Sequence, residues 1–374
     1  MRAVDGVIAA LAAHGDPLSS WLVGEPCAAP PDTLSRALAR AAQTDRYGYP
    51  PPAGLPQLRE VLASLHNEGG YGVSTAQTVV TNGAKAGLMA LLATLLEPGD
   101  ELIHPRPTYP AYPAMATRLG ARPIAADESN GTFDGWLQSV SECIGPRTRA
   151  VILSSPSNPT GATMSSSQAN DLVDLCRTRG LRLICDEAYT DFRFSPDSQG
   201  LAAEFDPTRE TVIQIRSASK SWALCGWRLG WVVADAALAT RIAATHSALV
   251  NPAPGPAQAA FCSLPDVAPD YLLGARREVQ KRLSELCAAL GDVGLDVRRP
   301  EGGFYLWFDV ESLVEASDLS TVTDWCVALA HRHGVGLWPG EDFGGTGWVR
   351  LAATAPATAS WRQAVTRLTA AVGD

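Results

Sequence analysis

The sequence predicts an α/β protein with a mostly parallel sheet covered by helices, together with a smaller α+β unit. Two observations predict this fold class. Short apolar runs rich in β-branched residues alternate with helical patterns between residues 78 and 220, whereas a long charged helix and short strands follow residue 270. We expect a large domain over residues 41–270 and a small domain formed by residues 1–40 and 271–374.

The large domain is predicted element by element. TVVTNGAKAGLMALLATLL (78–96) is typical of a strand, a tight turn and a helix, and ELIHP (101–105) of a second strand. RAVILSSPSNPTG (149–161) and LRLICDEAY (181–189) predict apolar strands joined by a helix over 165–179, and TVIQIRSASK (211–220) predicts a further strand. Because such apolar strands form parallel sheets, functional residues are expected beyond their C-terminal ends.

The two ends of the chain predict the small domain. PDYLLGARREVQKRLSELCAAL (269–290) is typical of a long charged helix, and EGGFYLWFDV (301–310) and GVGLWPGEDFGGTGWVRLA (334–352) are typical of short strands. The first forty residues offer no strand to the central sheet, so we expect them to pack against this domain. Residues 1–21 predict an amphipathic helix rather than a signal peptide.

Composition excludes several classes of protein. The net charge of −9 and the pI near 5.2 argue against a nucleic-acid surface, which requires a basic face. No apolar run approaches the roughly 18 residues of a membrane helix. Eight scattered cysteines form no CxxC motif and no cluster with histidine, which is typical of reduced core residues in a cytoplasmic protein without a metal site.

Lys220 lies in the segment SASKSWALCGWRLGW (217–231), among small and apolar residues. An ammonium group is costly to bury without a partner, so this position needs an explanation. One interpretation is a solvated surface turn. The other is a nucleophilic lysine that forms a Schiff base, while Ser217, Ser219 and Arg228 hold a phosphate.

The turns after the predicted strands carry further candidate residues. Gly83, Ala84 and Lys85 in TNGAK (81–85) precede a helix, where exposed N–H groups suit an anion, although an ordinary turn also explains them. Tyr109 in HPRPTYPAY (104–112) could stack on a planar ring or pack in the core. Asn158 in SSPSNPTGA (154–162) could donate to a ring hydroxyl or only satisfy the backbone.

The strand LICDEAY supplies a carboxylate and a phenol at its end. Asp186 needs a cationic partner, and a protonated pyridine nitrogen would provide one. Tyr189 could donate to the same phenolate as Asn158. Together the lysine, the carboxylate, the aromatic ring and the phosphate-binding groups match one cofactor, pyridoxal 5′-phosphate.

The chain resembles fold-type I pyridoxal-phosphate enzymes and, within them, the class I/II (aspartate-aminotransferase-like) aminotransferases. The resemblance runs from WLVGEP (21–26) to WVRLA (348–352) and includes YGYPPPAGLPQLRE, VTNGAK, SSPSNPTGA, CDEAY, SASKSWALCGWRLGW and EGGFYLW. It implies a seven-stranded type of sheet in the large, cofactor-binding domain. It also implies a homodimer with shared active sites, with no nucleic-acid or membrane partner.

The resemblance also implies a role for each candidate residue. Lys220 would be the Schiff-base lysine and general base, and Asp186 the partner of the pyridinium. The remaining cofactor contacts would be Asn158 and Tyr189 to the phenolate, Tyr109 to the ring, and Gly83, Ala84, Lys85, Ser217 and Arg228 to the phosphate. Tyr49, or its close competitor Tyr47, would reach the partner's phosphate. Arg350, helped by Asn158 and the backbone of Gly24, would bind the substrate α-carboxylate.

Transamination between an L-amino acid and a 2-oxo acid is the reaction that the resemblance favours. The alternative is a lyase, cyclase or oxidase that uses the same Cα carbanion, on a polar or cationic amino acid. Glu25, next to Gly24, could meet such a side chain, and it is equally explained as a loop residue.

Overall fold

A computed structural model describes residues 2–14, 19–43, 48–67, 72–128, 133–194, 211–354 and 361–373. Its helices are α1 (Ala3–His14), α2 (Asp32–Ala42), α3 (Pro56–Asn67), α4 (Gly83–Leu95), α5 (Ala111–Arg118), α6 (Trp136–Cys143), α7 (Ser166–Thr178), α8 (Ala218–Ser221), α9 (Ala236–Val250), α10 (Gly255–Phe261), α11 (Tyr271–Asp292), α12 (Glu311–Glu315), α13 (Val322–His333) and α14 (Trp361–Gly373). Its strands are β1 (Ser19–Ser20), β2 (Thr78–Thr81), β3 (Glu101–Arg106), β4 (Arg122–Asp127), β5 (Thr148–Ser154), β6 (Arg182–Asp186), β7 (Val212–Ser217), β8 (Gly230–Val233), β9 (Tyr305–Asp309), β10 (Val335–Gly336), β11 (Trp338–Pro339) and β12 (Trp348–Ala352).

The large sheet has seven strands in the order β2-β8-β7-β6-β5-β3-β4. The five strands from β3 to β7 form the parallel part of the sheet. Strand β8 pairs antiparallel with both β2 and β7. The predicted fold class is therefore confirmed. The C-terminal ends of the parallel strands all meet at one edge of the sheet, which is where such folds place their sites.

Both faces of this sheet are buried, as the apolar runs predict. In β5, Ala150 and Ile152 pack in a core cluster with α4 and α9, while Val151 and Leu153 pack in a second cluster with α6 and α7. Side chains alternate between the two faces of a strand, so one continuous apolar run fills both clusters.

The two ends of the chain supply two small sheets. One is antiparallel with the strand order β11-β12-β9, and the other is the parallel pair β1-β10. A third core cluster joins α1, α11, α13 and β9. Helix α1 packs against α13, as expected for the first forty residues. Helix α2, most of which lies in those forty residues, instead packs against α10, so the expectation that the whole segment packs against the small domain is wrong for α2. No helix within the described ranges has the length and apolar character needed to cross a membrane.

The first turn of α4 lies directly against strand β8. Gly83 has φ +75°, and a Cβ on Gly230 would lie 2.5 Å from the backbone N of Ala84. Only glycine permits this approach at position 230 without displacing the turn. The contact fixes the N-terminus of α4 beside the segment that carries Arg228.

Candidate active site

A cavity of about 750 Å³ lies at the C-terminal ends of β5, β6 and β7. All of the residues predicted for the site line this cavity except Gly83 and Tyr49. The predicted residues in its wall are Gly24, Ala84, Lys85, Tyr109, Asn158, Asp186, Tyr189, Ser217, Ser219, Lys220, Arg228 and Arg350. Residues from distant parts of the sequence therefore meet where the parallel strands end.

Lys220 projects from the short helix α8, which begins directly after β7. The Ser217 hydroxyl caps this helix by accepting the Ser219 N–H at 3.1 Å. The carboxylate of Asp191 accepts hydrogen bonds from the Ser221 hydroxyl and, at 3.0 Å, from Arg216. The Lys220 Nζ donates to the Gly24 carbonyl oxygen at 2.5 Å. The amine is thus held against the backbone of the N-terminal segment.

Asp186 ends strand β6, and its carboxylate is buried beneath the cavity. The hydroxyl of Tyr112 donates to it at 2.8 Å and the Ala188 N–H at 3.1 Å. Burial raises the pKa of the Asp186 carboxyl, while these two hydrogen bonds and the charge of Lys220 act in the opposite direction. The carboxylate makes no salt bridge with any residue that the structure describes.

Four tyrosines and a lysine line the cavity together with Asp186. Tyr109 meets Tyr112 edge to face, with 5.5 Å between the ring centroids. The Lys85 Nζ lies 5.7 Å from the centroid of the Tyr109 ring. On another side, the hydroxyls of Tyr189 and Tyr305 are 2.7 Å apart. These tyrosines therefore place phenol groups and aromatic rings in the wall of the cavity.

Arg228 and the first turn of α4 form a cationic corner. Arg228 adopts the left-handed conformation with φ +54°, and its Nη1 and Nη2 donate to the carbonyls of Cys225 at 2.9 Å and Asn82 at 3.4 Å. A Cβ on Gly83 would lie 2.6 Å from the Arg228 Nη2. A side chain at position 83 would therefore displace the guanidinium from the helix N-terminus.

Arg350 in β12 is the most deeply buried cation of the site, with 3% of its surface exposed. Its Nη1 donates to the Asn158 side-chain oxygen at 3.0 Å and its Nη2 to the Leu22 carbonyl. Burial lowers the pKa of Arg350, and no carboxylate among the described residues compensates its charge. A buried guanidinium of this kind is suited to an anionic ligand.

Three aromatic rings pack on the Arg350 guanidinium. The centroids of Tyr305, Trp338 and Phe343 lie 4.3, 4.5 and 4.8 Å from its Cζ. Trp338 is held in turn by Asp342, whose carboxylate accepts its indole N–H at 2.9 Å. The same carboxylate accepts the backbone N–H groups at the start of α1, so the N-terminal helix is joined to the cavity wall.

Sequence analysis missed four aromatic residues of the site: Tyr112, Tyr305, Trp338 and Phe343. Tyr112 lies three residues after Tyr109, so a short helix starting near residue 110 would have directed both side chains to one region. Tyr305 lies within the EGGFYLW motif, but the motif alone does not indicate which ring faces the cavity. No sequence signal identified Trp338 or Phe343.

The remaining candidates lie at the margin of the cavity or outside it. Glu25 lines the cavity and is exposed. Tyr49 is 86% exposed and does not line the cavity of this chain. Tyr47, the competitor of Tyr49, lies outside the described residues.

The residues of the cavity fit pyridoxal 5′-phosphate. The buried Asp186 carboxylate suits a cationic ring nitrogen, and Arg228 with the glycine turn suits a phosphate. The Tyr109 ring and the Lys220 amine line the same cavity. These groups are the types that the ring nitrogen, ring face, aldehyde and phosphate of the cofactor require.

Comparison with known proteins agrees with this chemistry. The chain matches the model of the family described as aminotransferase class I and II over residues 18–368. An arginine–pyruvate transaminase of Pseudomonas aeruginosa is 33% identical, covering 90% of this chain and 86% of that protein. A probable N-acetyl-LL-diaminopimelate aminotransferase of Bacillus subtilis is 30% identical, covering 91% and 86%.

Solved structures are similar over nearly the whole chain. A single mutant of Thermus thermophilus aspartate aminotransferase gives a TM-score of 0.90 at 28% identity, covering 99% of this chain and 97% of that one. The aspartate aminotransferase of Thermotoga maritima gives a TM-score of 0.90 at 25% identity, covering 99% and 96%.

Replacement of Tyr112 should test the environment of Asp186. In the cofactor-free protein, Tyr112→Phe removes a hydrogen bond to a buried carboxylate and should destabilise the fold by about 2 kcal/mol at neutral pH. The loss should shrink as the pH falls through the raised pKa of Asp186, because a protonated carboxyl accepts the phenol more weakly. Thermal melting at neutral and acidic pH measures the difference.

The matched control is Tyr109→Phe, since the Tyr109 hydroxyl makes no hydrogen bond to a described residue. It should leave the pH dependence of melting unchanged. An equal loss of stability at both pH values in Tyr112→Phe would show that the hydroxyl acts independently of the Asp186 charge.

Proposed function

Because the chain belongs to the class I and II aminotransferase family, we propose that the cavity is its active site and that Lys220 is the reactive amine. The protein is a pyridoxal-phosphate-dependent aminotransferase, and its substrates are an amino acid and a keto acid. The assignment of individual residues is our proposal and rests on the geometry of the cavity.

One observation carries the proposal. Lys220, Asp186 and Arg350 line one cavity, and none of them makes a salt bridge with another described residue. Burying such groups without opposite charges is costly unless a ligand supplies them. An amino acid with its cofactor supplies a carboxylate for Arg350 and a ring cation for Asp186.

Lys220 and Asp186 are proposed to carry the chemistry together. When bound, pyridoxal phosphate supplies an aldehyde that reacts with amines and a ring that withdraws electrons from the substrate Cα. Lys220 would hold the cofactor through its aldehyde, and its Nζ, when free, would accept the proton from the substrate Cα as general base. Asp186 would keep the ring nitrogen protonated, and the Tyr112 hydroxyl holds the Asp186 carboxylate in place.

The other polar groups hold the cofactor and the substrate. Arg228, Ser217, Ser219 and the first turn of α4, which includes Gly83, Ala84 and Lys85, are proposed to bind the phosphate. Tyr109 would stack on the ring, while Asn158 and Tyr189 would donate to its phenolate. Arg350 would bind the substrate carboxylate through its N–H groups, and the backbone of Gly24 lines the same cavity.

The protein is proposed to act as a homodimer in which Tyr49 contacts the partner's phosphate site. Tyr49 exposes 86% of its surface, and Leu249 and Val250 at the end of α9 expose 49% and 46%. Pro50, next to Tyr49, lies beside Gly255, the first residue of α10, which follows α9. Tyr49 and the exposed end of α9 therefore lie in one region. An interface covering them would bury apolar surface that is otherwise in water.

Two further assignments extend the proposal. The large domain is proposed to span 41–270, and the small domain 1–40 and 271–374. We also propose a cytoplasmic location, which is supported by the eight cysteines being free thiols.

Trapping the cofactor covalently tests the role of Lys220. The sequence contains only three lysines, Lys85, Lys220 and Lys281, so the labelled residue can be identified without ambiguity. Borohydride reduction of the native protein, followed by peptide mapping, should place the cofactor on Lys220. Lys220→Ala should lose this label and nearly all turnover. Lys85→Ala, the control in the same cavity, should keep the label; cofactor on Lys85 or Lys281 would refute the assignment.

Arg350→Lys should be a damaging change despite the retained charge. Lysine offers one rotatable point charge where the guanidinium offers two parallel N–H groups. Losing the second N–H group should raise the activation free energy by about 2–3 kcal/mol, which lowers kcat/KM for amino acids roughly a hundredfold. Amines without a carboxylate are the control and should react equally well with both proteins. An equal loss for amines would assign Arg350 a purely structural role.

Subunit mixing tests whether Tyr49 acts in the neighbouring site. Sedimentation should show a dimer, and Tyr49→Ala should bind pyridoxal phosphate weakly. Mixing Tyr49→Ala with Lys220→Ala should restore activity, because each mixed dimer then contains one site with both native residues. If the mixture is no more active than the two variants separately, Tyr49 does not cross the interface.

A further inference from the structure

Asn82 immediately precedes the turn that we propose for phosphate binding, and it is hydrogen-bonded to two other segments. Its backbone N–H donates to the Nε2 of His246 at 3.1 Å. Its carbonyl accepts from the Nη2 of Arg228 at 3.4 Å. Its side-chain amide donates to the carbonyls of Val250 and Asn251 at 3.4 and 3.5 Å. The position of Asn82 is thus fixed by both α9 and Arg228.

His246 is fully buried on helix α9, with none of its surface exposed. Because the Asn82 N–H is a donor, the Nε2 of His246 must carry the lone pair, so the proton of the neutral ring lies on Nδ1. That Nδ1 is buried and has no hydrogen-bond partner among the described residues. Burial also lowers the pKa of His246, which favours the neutral ring that can accept.

Leaving a buried ring nitrogen without a partner is unfavourable, so an apolar side chain would pack here at lower cost. What the imidazole contributes is the acceptor for Asn82. On its other side, the turn meets β8, where Gly230 allows the backbone N of Ala84 to approach. The turn is therefore held between a glycine contact and a histidine hydrogen bond.

We propose that His246 is a positioning residue for the cofactor phosphate: it holds Asn82 so that the N–H groups of Gly83, Ala84 and Lys85 point toward the same space as Arg228. This inference rests on the proposed phosphate site. His246 itself does not line the cavity, so it acts only through Asn82. Loss of its acceptor lets the turn move, and the effect is confined to ligands that carry a phosphate.

The experiment compares two substitutions of similar shape. His246→Gln keeps an acceptor at the end of its side chain, whereas His246→Met offers only a weak one. Full-length protein stripped of cofactor is titrated with pyridoxal 5′-phosphate and, separately, with pyridoxal, which lacks the phosphate. His246→Met should raise the Kd of pyridoxal 5′-phosphate about tenfold and leave that of pyridoxal unchanged. His246→Gln should bind both ligands as the native protein does.

Arg228→Gln separates this inference from the proposed function, since it tests the phosphate site directly. If Arg228→Gln discriminates between the two ligands and His246→Met does not, the role of His246 is refuted and the phosphate site stands. If neither variant distinguishes pyridoxal 5′-phosphate from pyridoxal, both the role of His246 and the proposed phosphate site are refuted. An equal weakening of both ligands in His246→Met would indicate a general structural role and also refute the proposal. Should His246→Met fail to fold, His246→Leu serves in its place, because leucine also lacks the acceptor.

Discussion

The burial of the Arg350 guanidinium is the constraint on which the site depends. Its Nη groups bind the Leu22 carbonyl and the Asn158 side chain, so the N-terminal segment and the loop after β5 converge on one side chain of the small sheet. Cation–π contacts with three rings offset part of the cost of desolvation, and they do so without neutralising the charge. The arrangement keeps an uncompensated guanidinium inside an aromatic wall.

The same short segment also fixes Lys220. The carbonyl of Leu22 accepts from Arg350, and the carbonyl of Gly24, two residues later, accepts from Lys220. Two residues of backbone thus set the separation of the two cations. A Cβ on Gly24 would lie 2.2 Å from the Tyr305 hydroxyl, so glycine lets this backbone pass close to the aromatic wall.

Much of this could be predicted from the sequence, because the chain order of the strands determines which turns meet. Apolar strands followed by polar turns placed Asn158, Asp186 and Lys220 at one edge of the sheet, and the cavity contains all three. Sequence could not predict Trp338 or Phe343, since their positions depend on how the small sheet packs against Arg350. Nor could it predict Tyr112, because the choice between core packing and a carboxylate partner is made by the tertiary structure.

The burial of Asp186 and Arg350 lowers the stability of the protein without a ligand, because both charged groups are removed from water. Burial moves the pKa of Asp186 up and that of Arg350 down, so desolvation opposes the charged form of each. The Asp186 carboxylate has the Tyr112 hydroxyl and the charge of Lys220 near it, whereas the Arg350 guanidinium is packed by aromatic rings. No salt bridge joins Asp186 and Arg350. In the complex that we propose, a ligand with a cationic ring nitrogen and a carboxylate would satisfy both groups at once, and its binding would recover part of the free energy that their burial costs.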